Sequence, residues 1–303
     1  MKDQNFHIES TNLKAGFGNV ILEDTYCSIL KVLRFMVSSS LLLALNGVMV
    51  VVFGFFLNSA TIMPPLLFAA FLVTFAVYGL NKFTDKAEDS INRPETLPRA
   101  SSYYLVFSIV SMTFGFLIGL WEGILDFFVL CAPVVIGVIY SVRISKSIPR
   151  LKEIVGVKSL VVAVSWALTG AFVPDPFFGT KLEIIVVIFV FIFIRVFMGT
   201  TLCDVLYKKG DLASGVETIP IRLGRNKTKK LLIFLNSLAM LLPIYCMATG
   251  MLIRCVPALL FGVLYGYLAI WFFFRKNCKR FTAGLMLDGE WIPIVIITCL
   301  RIR

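Results

Sequence analysis

The chain has 303 residues, of which 58% are hydrophobic and only 16% are charged, and its mean hydropathy is +0.89. Too few charged residues remain to cover a soluble domain of this size, so the composition excludes an ordinary soluble protein and predicts an integral membrane protein. The net charge of +11 is not gathered on one basic face or in a nucleic-acid-binding module, which excludes nucleic acid as the partner.

The first 30 residues form a polar segment that precedes the apolar part of the chain. They lack a basic stretch joined to a short apolar core, so no cleavable signal peptide is predicted. We therefore divide the chain into a polar N-terminal segment, 1–30, and a transmembrane domain, 31–303.

Apolar stretches follow one another along the rest of the chain. Each is close to the roughly 20 residues that a helix needs to cross a hydrocarbon core of about 30 Å. The predicted fold is an all-α integral membrane bundle of about nine transmembrane helices. The predicted spans are 36–57, 61–83, 103–121, 124–143, 159–175, 182–203, 230–249, 254–274 and 283–300.

Basic residues are concentrated in alternate loops between these spans. The loops after the second, fourth, sixth and eighth spans are rich in Lys and Arg, whereas the opposite loops contain essentially Lys181 and Arg254. The positive-inside rule therefore places the N-terminus and the basic loops in the cytoplasm, in a multi-pass protein of the cell membrane. Arg301 and Arg303 run against this orientation, but the four loops outweigh them.

A first acidic motif follows the second span. Asn81, Asp85 and Asp89 are four residues apart, so on a helix they share one polar face at the membrane surface. Two carboxylates and an amide offer oxygen ligands for Mg²⁺, which proteins often hold with one or two carboxylates and the phosphates of a substrate. A short pattern of this kind also arises by chance in a solvated helix end, so the motif alone leaves both interpretations open.

A second acidic motif follows the sixth span, on the same side of the membrane. Asp204 and Asp211 are seven residues apart, which is two helical turns, and so they share a face. Carboxylates this close to hydrocarbon are functional candidates, because they are costly there unless paired or metal-bound. Two facing acidic motifs could hold two or more cations around a diphosphate.

The two motifs and their neighbours resemble the UbiA superfamily of intramembrane prenyltransferases. The positions that carry the resemblance are Asn81, Asp85, Asp89, Asn92, Arg93, Pro94, Tyr140, Ser141, the stretch 149–158, Asp204, Asp211, Gly215, Val216, Thr218, Pro220, Leu223 and Gly224. The similarity covers about 80–225, and the number of spans extends it to the whole chain. The resemblance implies a central cavity that opens to lipid, with the diphosphate of an isoprenoid donor held below it.

The resemblance also implies roles for the acidic residues. Asn81, Asp85 and Asp89 would bind one Mg²⁺, and Asp204 and Asp211 another, with the four carboxylates as the catalytic residues. One position departs from the family pattern, because members often have an aspartate where this chain has Tyr207. Either the set of metal ligands is reduced here or the acceptor pocket differs.

Several residues are candidates for substrate binding. Arg and Lys suit phosphate oxygens, and an aromatic ring can stabilise a cation; the alternatives are positive-inside topology for the basic residues and interface anchoring for the tyrosine of the fourth span. Arg195 lies inside the sixth span, so it is expected to pair with a site carboxylate or the diphosphate, or to snorkel to the interface. The candidates are Asn81, Arg93, Arg99, Tyr140, Lys152, Lys158, Arg195 and Tyr207.

The sequence as a whole predicts an enzyme. A prenyltransferase of this kind would move a polyprenyl group from an isoprenyl diphosphate to a lipophilic acceptor, aromatic or lipid, within the bilayer and with Mg²⁺ as cofactor. The alternatives are phosphoribosyl transfer to a polyprenyl phosphate, a transporter and a non-catalytic partner subunit. The acidic motifs disfavour a transporter, because they lie at helix ends rather than at the bilayer centre.

Overall fold

The structure is a computed structural model that describes residues 28–99, 101–141, 154–176, 179–275, 278 and 280–302. All regular secondary structure in these ranges is helical, and the predicted all-α fold is confirmed. Most of the predicted N-terminal segment, residues 1–27, lies outside the described residues.

The described helices follow one another with short connections. They are α1 (Ser28–Ser38), α2 (Leu41–Leu57), α3 (Pro64–Thr84), α4 (Lys86–Asn92), α5 (Ser102–Glu122), α6 (Ile124–Ser141), α7 (Val157–Phe172), α8 (Leu182–Ala213), α9 (Ile219–Ala239), α10 (Leu241–Thr249), α11 (Val256–Phe273), α12 (Arg280–Asp288) and α13 (Trp291–Ile302). Two 3₁₀ helices, Pro94–Arg99 and Ile253–Cys255, precede α5 and α11.

Six helical segments in the described part of the chain are long and apolar enough to cross a membrane. Three are the single helices α3, α5 and α8, and three are composite, namely α9 with α10, the second 3₁₀ helix with α11, and α12 with α13. Helices α1 and α2 form a seventh candidate that is bent by 74°, and α6 and α7 are shorter apolar helices. The protein is thus a multi-pass membrane bundle, and its predicted number of nine spans stays a prediction.

The main core lies where α2, α7, α8, α11 and α13 meet. Phe53, Phe191 and Trp291 contact one another there, with ring centroids 5.6 to 6.3 Å apart. Gly170 on α7 brings the backbones close, because a Cβ at this position would lie only 2.4 Å from Ile192 Cδ1 and 2.5 Å from Val50 Cγ1. Small residues at helix contacts are the usual means of close packing in membranes, and here they fix α8 in the middle of the bundle.

Candidate functional site

The first acidic motif lies where α3 ends and α4 begins. Backbone hydrogen bonds run from Asp85 N to Asn81 O (2.8 Å), from Asp89 N to Asp85 O (2.9 Å) and from Arg93 N to Asp89 O (2.8 Å). The helical hydrogen-bond pattern therefore continues past the non-helical backbone angles of Asp85, φ −100° and ψ 22°. The three predicted ligands and Arg93 consequently follow one another at intervals of one helical turn.

The second acidic motif lies in the last part of α8. Asp204 and Asp211 are only 3% and 1% exposed. The ammonium of Lys158, in the first turn of α7, is 3.4 Å from Asp204 Oδ1 and 3.3 Å from Asp211 Oδ1. The next residue, Ser159, donates a hydrogen bond from Oγ to Asp204 Oδ2 at 3.2 Å. Both carboxylates are therefore held against the N-terminal end of α7.

The charges of this second cluster do not balance. One ammonium faces two buried carboxylates, and Asp211 Oδ2 is buried without a hydrogen-bond partner among the described residues. Burying a carboxylate without full compensation is unfavourable. Because carboxylate oxygens are the ligands that Mg²⁺ prefers, this donor set fits a divalent cation.

The geometry also indicates how a cation would be held. Within the described residues, no three acidic, histidine or cysteine side chains come close enough together to enclose a metal ion. Mg²⁺ is commonly bound by one or two carboxylates together with substrate phosphates. The pairing of carboxylates in each motif therefore suits a cation that shares its ligands with a phosphorylated substrate.

Asn92 and Gly210 join the two motifs. Asn92 Oδ1 at the end of α4 accepts a hydrogen bond from Gly210 N on α8 at 3.0 Å. A Cβ at residue 210 would lie 2.3 Å from Asn92 Nδ2, so the approach requires glycine. The carbonyl of Asn92 accepts a further hydrogen bond from Arg280 Nη1 at 3.1 Å. These contacts bring α4, α8 and the start of α12 together at the site.

Arg93 lies between the motifs. Its guanidinium carbon is 4.3 Å from the ring centroid of Tyr207, which is a cation–π contact. Its charge acts on Asp89 of the first motif and on Asp204 and Asp211 of the second. Burial raises the pKa of the Asp89 carboxyl above its usual value, although Arg93 opposes the shift. A guanidinium at this position can bind phosphate oxygens through two parallel hydrogen bonds.

An apolar cavity extends from the first motif into the bundle, between α2, α3, α6 and α7. Its volume is about 800 Å³ when its open side is included. Trp166 Nε1 donates a hydrogen bond to the Tyr78 hydroxyl at 3.0 Å inside it. The lining includes Gly47, Val50, Val73, Thr74, Val77, Tyr78, Asn81, Leu130, Val162, Trp166 and Thr169. Asn81 thus belongs both to the acidic motif and to the mouth of the cavity.

The structure brings some of the predicted site residues together, and it does not describe the side chains of others. It brings together the two motifs and three of the predicted substrate-binding residues, Arg93, Lys158 and Tyr207. Lys152 lies outside the described residues. Arg99 ends the first 3₁₀ helix and Tyr140 lies in the last turn of α6, and the structure describes the backbone alone at both positions.

Arg195 has a different partner from the expected one. The sequence predicts a site carboxylate or the diphosphate, but Arg195 Nε lies 2.5 Å from Glu290 Oε1, and both residues are buried. Arg195 Nη1 also donates to Asn236 Oδ1 at 3.1 Å, and Asn236 Nδ2 donates to Val263 O at 2.9 Å. Arg195 therefore joins α8 to α9 and to the segment before α13, and its role in substrate binding stays a prediction.

Sequence reasoning missed one carboxylate near the site. Asp288, the last residue of α12, lies within electrostatic reach of Arg93, Cys203 and Tyr207. A signal for it was present in the sequence, because the predicted span 283–300 contains both Asp288 and Glu290. Acidic residues inside an apolar span are functional candidates by default.

Comparison with known proteins connects this fold to a family. The sequence model described as the UbiA prenyltransferase family matches residues 44–284, which is well over half of the chain. No curated protein matches the chain.

Solved structures of similar fold cover nearly the whole chain. A UbiA homologue from Archaeoglobus fulgidus bound to GPP and Mg²⁺ has a TM-score of 0.67 and 16% identity, covering 89% of this chain and 96% of the other. A digeranylgeranylglyceryl phosphate synthase has a TM-score of 0.57 and 17% identity, covering 89% and 97%. The apo UbiA homologue from Aeropyrum pernix K1 has a TM-score of 0.61 and 14% identity, covering 85% and 96%. At such identities the likeness concerns the fold alone.

Proposed function

Because the chain belongs to the UbiA prenyltransferase family, as its motifs predict, we propose that it transfers a polyprenyl group from an isoprenyl diphosphate to a lipophilic acceptor within the membrane. The observation that carries this proposal is the close approach of the two acidic motifs through Asn92 and Gly210, with Arg93 between them. The Archaeoglobus fulgidus protein of similar fold binds GPP and Mg²⁺, which supports the same class of donor here.

The donor diphosphate binds between α4 and α8. Asn81, Asp85 and Asp89 would hold one Mg²⁺, and Asp204 and Asp211 would hold the other. When bound, Mg²⁺ supplies the positive charge that offsets the negative charge developing on the leaving diphosphate.

Basic side chains complete the diphosphate site. Arg93 contacts the phosphate oxygens, and the ring of Tyr207 keeps its guanidinium in place. Lys158 holds the two carboxylates of α8 in position through its ion pairs.

The apolar cavity receives the prenyl chain of the donor. The bond between C1 of the chain and the diphosphate oxygen breaks, and its electron pair leaves with the diphosphate. The apolar lining excludes water, so the allylic cation is not lost to hydrolysis before the acceptor attacks. The rings of Tyr78 and Trp166 line the cavity near its mouth and present π faces that stabilise positive charge.

The same proposal includes an orientation. The basic loops that carry both motifs lie in the cytoplasm according to the positive-inside rule, together with the N-terminus. The diphosphate then enters from the aqueous side, while the prenyl chain and the acceptor enter from the lipid.

Transfer of radiolabelled geranylgeranyl diphosphate into a total lipid extract tests this function. We expect the purified protein to form a lipid product with Mg²⁺ and none with a chelator, and we expect Asp85→Ala to abolish the product. Glu217→Ala is the matched control, because Glu217 is an exposed carboxylate near the second motif and should leave the activity unchanged.

Two results would contradict the proposal. The first is equal product from the wild-type protein and Asp85→Ala. The second is the absence of product with donors of several chain lengths, together with transfer from a phosphoribosyl diphosphate to a polyprenyl phosphate.

A further inference from the structure

Asp288 lies at a break in the last composite span. Helix α12 ends at Asp288 and α13 begins at Trp291, three residues later. A carboxylate in the last turn of a helix is disfavoured by the helix dipole, which places partial negative charge at that end. Neither the dipole nor the apolar surroundings explain why an aspartate stands here.

Contacts on both sides fix this break against the site. Before it, Tyr265 Oη donates a hydrogen bond to Met286 O at 2.6 Å, and the α12 side chain Leu287 packs towards Gly199 on α8. After it, Glu290 is buried in its ion pair with Arg195. Asp288 is therefore held beside α8. Its neighbour Leu287 lies near Gly199, which is five residues before Asp204 on that helix.

The titratable groups within electrostatic reach of Asp288 belong to the site. They are Tyr78 on α3, Arg93 after α4, and Cys203 and Tyr207 on α8. Arg93 is the cation among them, and it also acts on the carboxylates of both motifs. Tyr78 lines the apolar cavity. Asp288 thus lies at the boundary between the diphosphate-binding residues and the space for the prenyl chain.

Asp288 is half-buried, and among the described residues it has no hydrogen-bond or ion-pair partner. The other acidic groups near it are engaged. Asp204 and Asp211 share Lys158, and Glu290 pairs with Arg195. A partly accessible carboxylate with open hydrogen-bonding capacity, within electrostatic reach of Arg93 and Tyr207, is suited to a ligand.

We propose that Asp288 binds the nucleophilic hydroxyl of the acceptor and removes its proton, so that the acceptor is an alcohol, phenol or enol. This inference rests on the proposed prenyl transfer and names the base for it. The acceptor oxygen or its conjugated carbon forms the new bond to C1 of the prenyl chain, the C1–O bond to the diphosphate breaks with its electrons on the diphosphate, and the acceptor proton goes to the Asp288 carboxylate. No oxidant or further reactant is needed.

Donor binding and transfer, measured separately, test this role. The variants are Asp288→Asn, Asp288→Glu and, as the matched control, Glu217→Gln. Magnesium-dependent binding of geranylgeranyl thiolodiphosphate, an unreactive donor analogue, reports on the diphosphate site. Transfer of radiolabelled geranylgeranyl diphosphate into a total lipid extract reports on the complete reaction.

We expect Asp288→Asn to bind the analogue within about threefold of the wild-type protein and to lose transfer by at least about 100-fold, the usual size of general-base catalysis. Asp288→Glu should recover at least about tenfold over the amide variant. With Mg²⁺ and donor kept saturating at each pH, the wild-type rate should fall towards low pH as the Asp288 carboxylate is protonated, and the residual rate of Asp288→Asn should lack this limb. A purely structural residue would not alter the pH profile in this way.

The outcomes separate the two proposals. Transfer by Asp288→Asn at the wild-type rate, or equal loss of analogue binding and transfer in this variant, would overturn the role of Asp288 and leave prenyl transfer standing. A wild-type protein that binds no analogue with Mg²⁺, or that binds it and forms no product, would refute prenyl transfer and the base together.

Discussion

Two buried polar clusters lie on α8, and they differ in charge balance. In the first, the Arg195 cation faces one anion, Glu290, and Arg195 Nη1 also donates a hydrogen bond to Asn236 Oδ1. In the second, nine residues further along the helix, two carboxylates share the single ammonium of Lys158. Asp211 Oδ2 there has no hydrogen-bond partner within the described ranges.

This contrast separates structural charges from functional ones in a membrane bundle. An ion pair whose two charges cancel joins parts of the fold and leaves no unpaired charge for a ligand to neutralise. A cluster in which two buried carboxylates share one ion-pair partner has capacity for a further cation, and such clusters are candidates for function. The comparison can be tested by changing the charge in each cluster in turn.

The largest effect is expected from removing the surplus charge of the second cluster. Asp211→Asn should lower transfer on the order of a thousandfold, because the proposed site loses a ligand for the Mg²⁺ that would stabilise the leaving diphosphate. Its thermal stability in detergent should stay equal or rise, since a poorly compensated buried charge disappears. Transfer assays and thermal unfolding of the same preparations measure both. Wild-type activity, or a marked loss of stability, would make this cluster a structural one.

The balanced cluster should behave in the opposite way. Arg195→Met leaves Glu290 buried without its cation and should destabilise the fold by about 3 kcal/mol. The double variant Arg195→Met with Glu290→Met should recover most of this loss, because both charges are gone. Unfolding of the single and double variants in detergent measures the effect. If the double variant lost as much stability as the two single variants added together, the ion pair would not be the source of the stability that Arg195 provides.

A smaller effect is expected at the single ammonium of the second cluster. Lys158→Met removes the positive charge that competes with a metal cation, so Mg²⁺ should bind about tenfold more tightly in the absence of donor, a change of about 1.4 kcal/mol. Lys158→Arg keeps the charge and serves as the control. Calorimetric titration with Mg²⁺ measures this affinity. Weaker binding in Lys158→Met would show that the ammonium organises the ligands more than it repels the cation.

The smallest effect concerns a neutral contact of the same cluster. Ser159→Ala removes the hydrogen bond to Asp204 and should lower transfer about fivefold, or about 1 kcal/mol, as for an ordinary hydrogen bond. Ser237→Ala on α9 is the matched control, because its hydroxyl bonds at an exposed position away from both motifs. A loss comparable to that of Asp211→Asn would indicate that Ser159 is itself a ligand.

The helices were predictable where an apolar run ends abruptly. The span predicted at 103–121 corresponds to α5, Ser102–Glu122, since a polar residue lies at each end of a mostly apolar stretch. The span predicted at 182–203 falls short of α8, which continues to Ala213. Hydropathy marks where lipid-facing apolar residues end, and the polar end of α8 remains helical because its acidic face packs against α7 and α4.

The site was predictable only in part, for a similar reason. Regular spacing along one helix identifies Asp204 and Asp211, and the break at Asp85 leaves the one-turn spacing of the first motif unchanged. The partner of Arg195 lies 95 residues away along the chain, so no local pattern indicates it. Asp288 was missed although it is acidic, because α12 and α13 appear in the sequence as one apolar span and the break between them was not predicted.

The ion pair between Arg195 and Glu290 has a consequence for biosynthesis. The arginine enters the bilayer 95 residues before its partner is made, and at ribosomal speeds of about 5 to 20 residues per second that interval lasts roughly 5 to 20 s. During this time the nascent bundle carries an unmatched cation in lipid. A chain whose synthesis stops before residue 290 lacks the anion that pairs with this arginine in the complete protein.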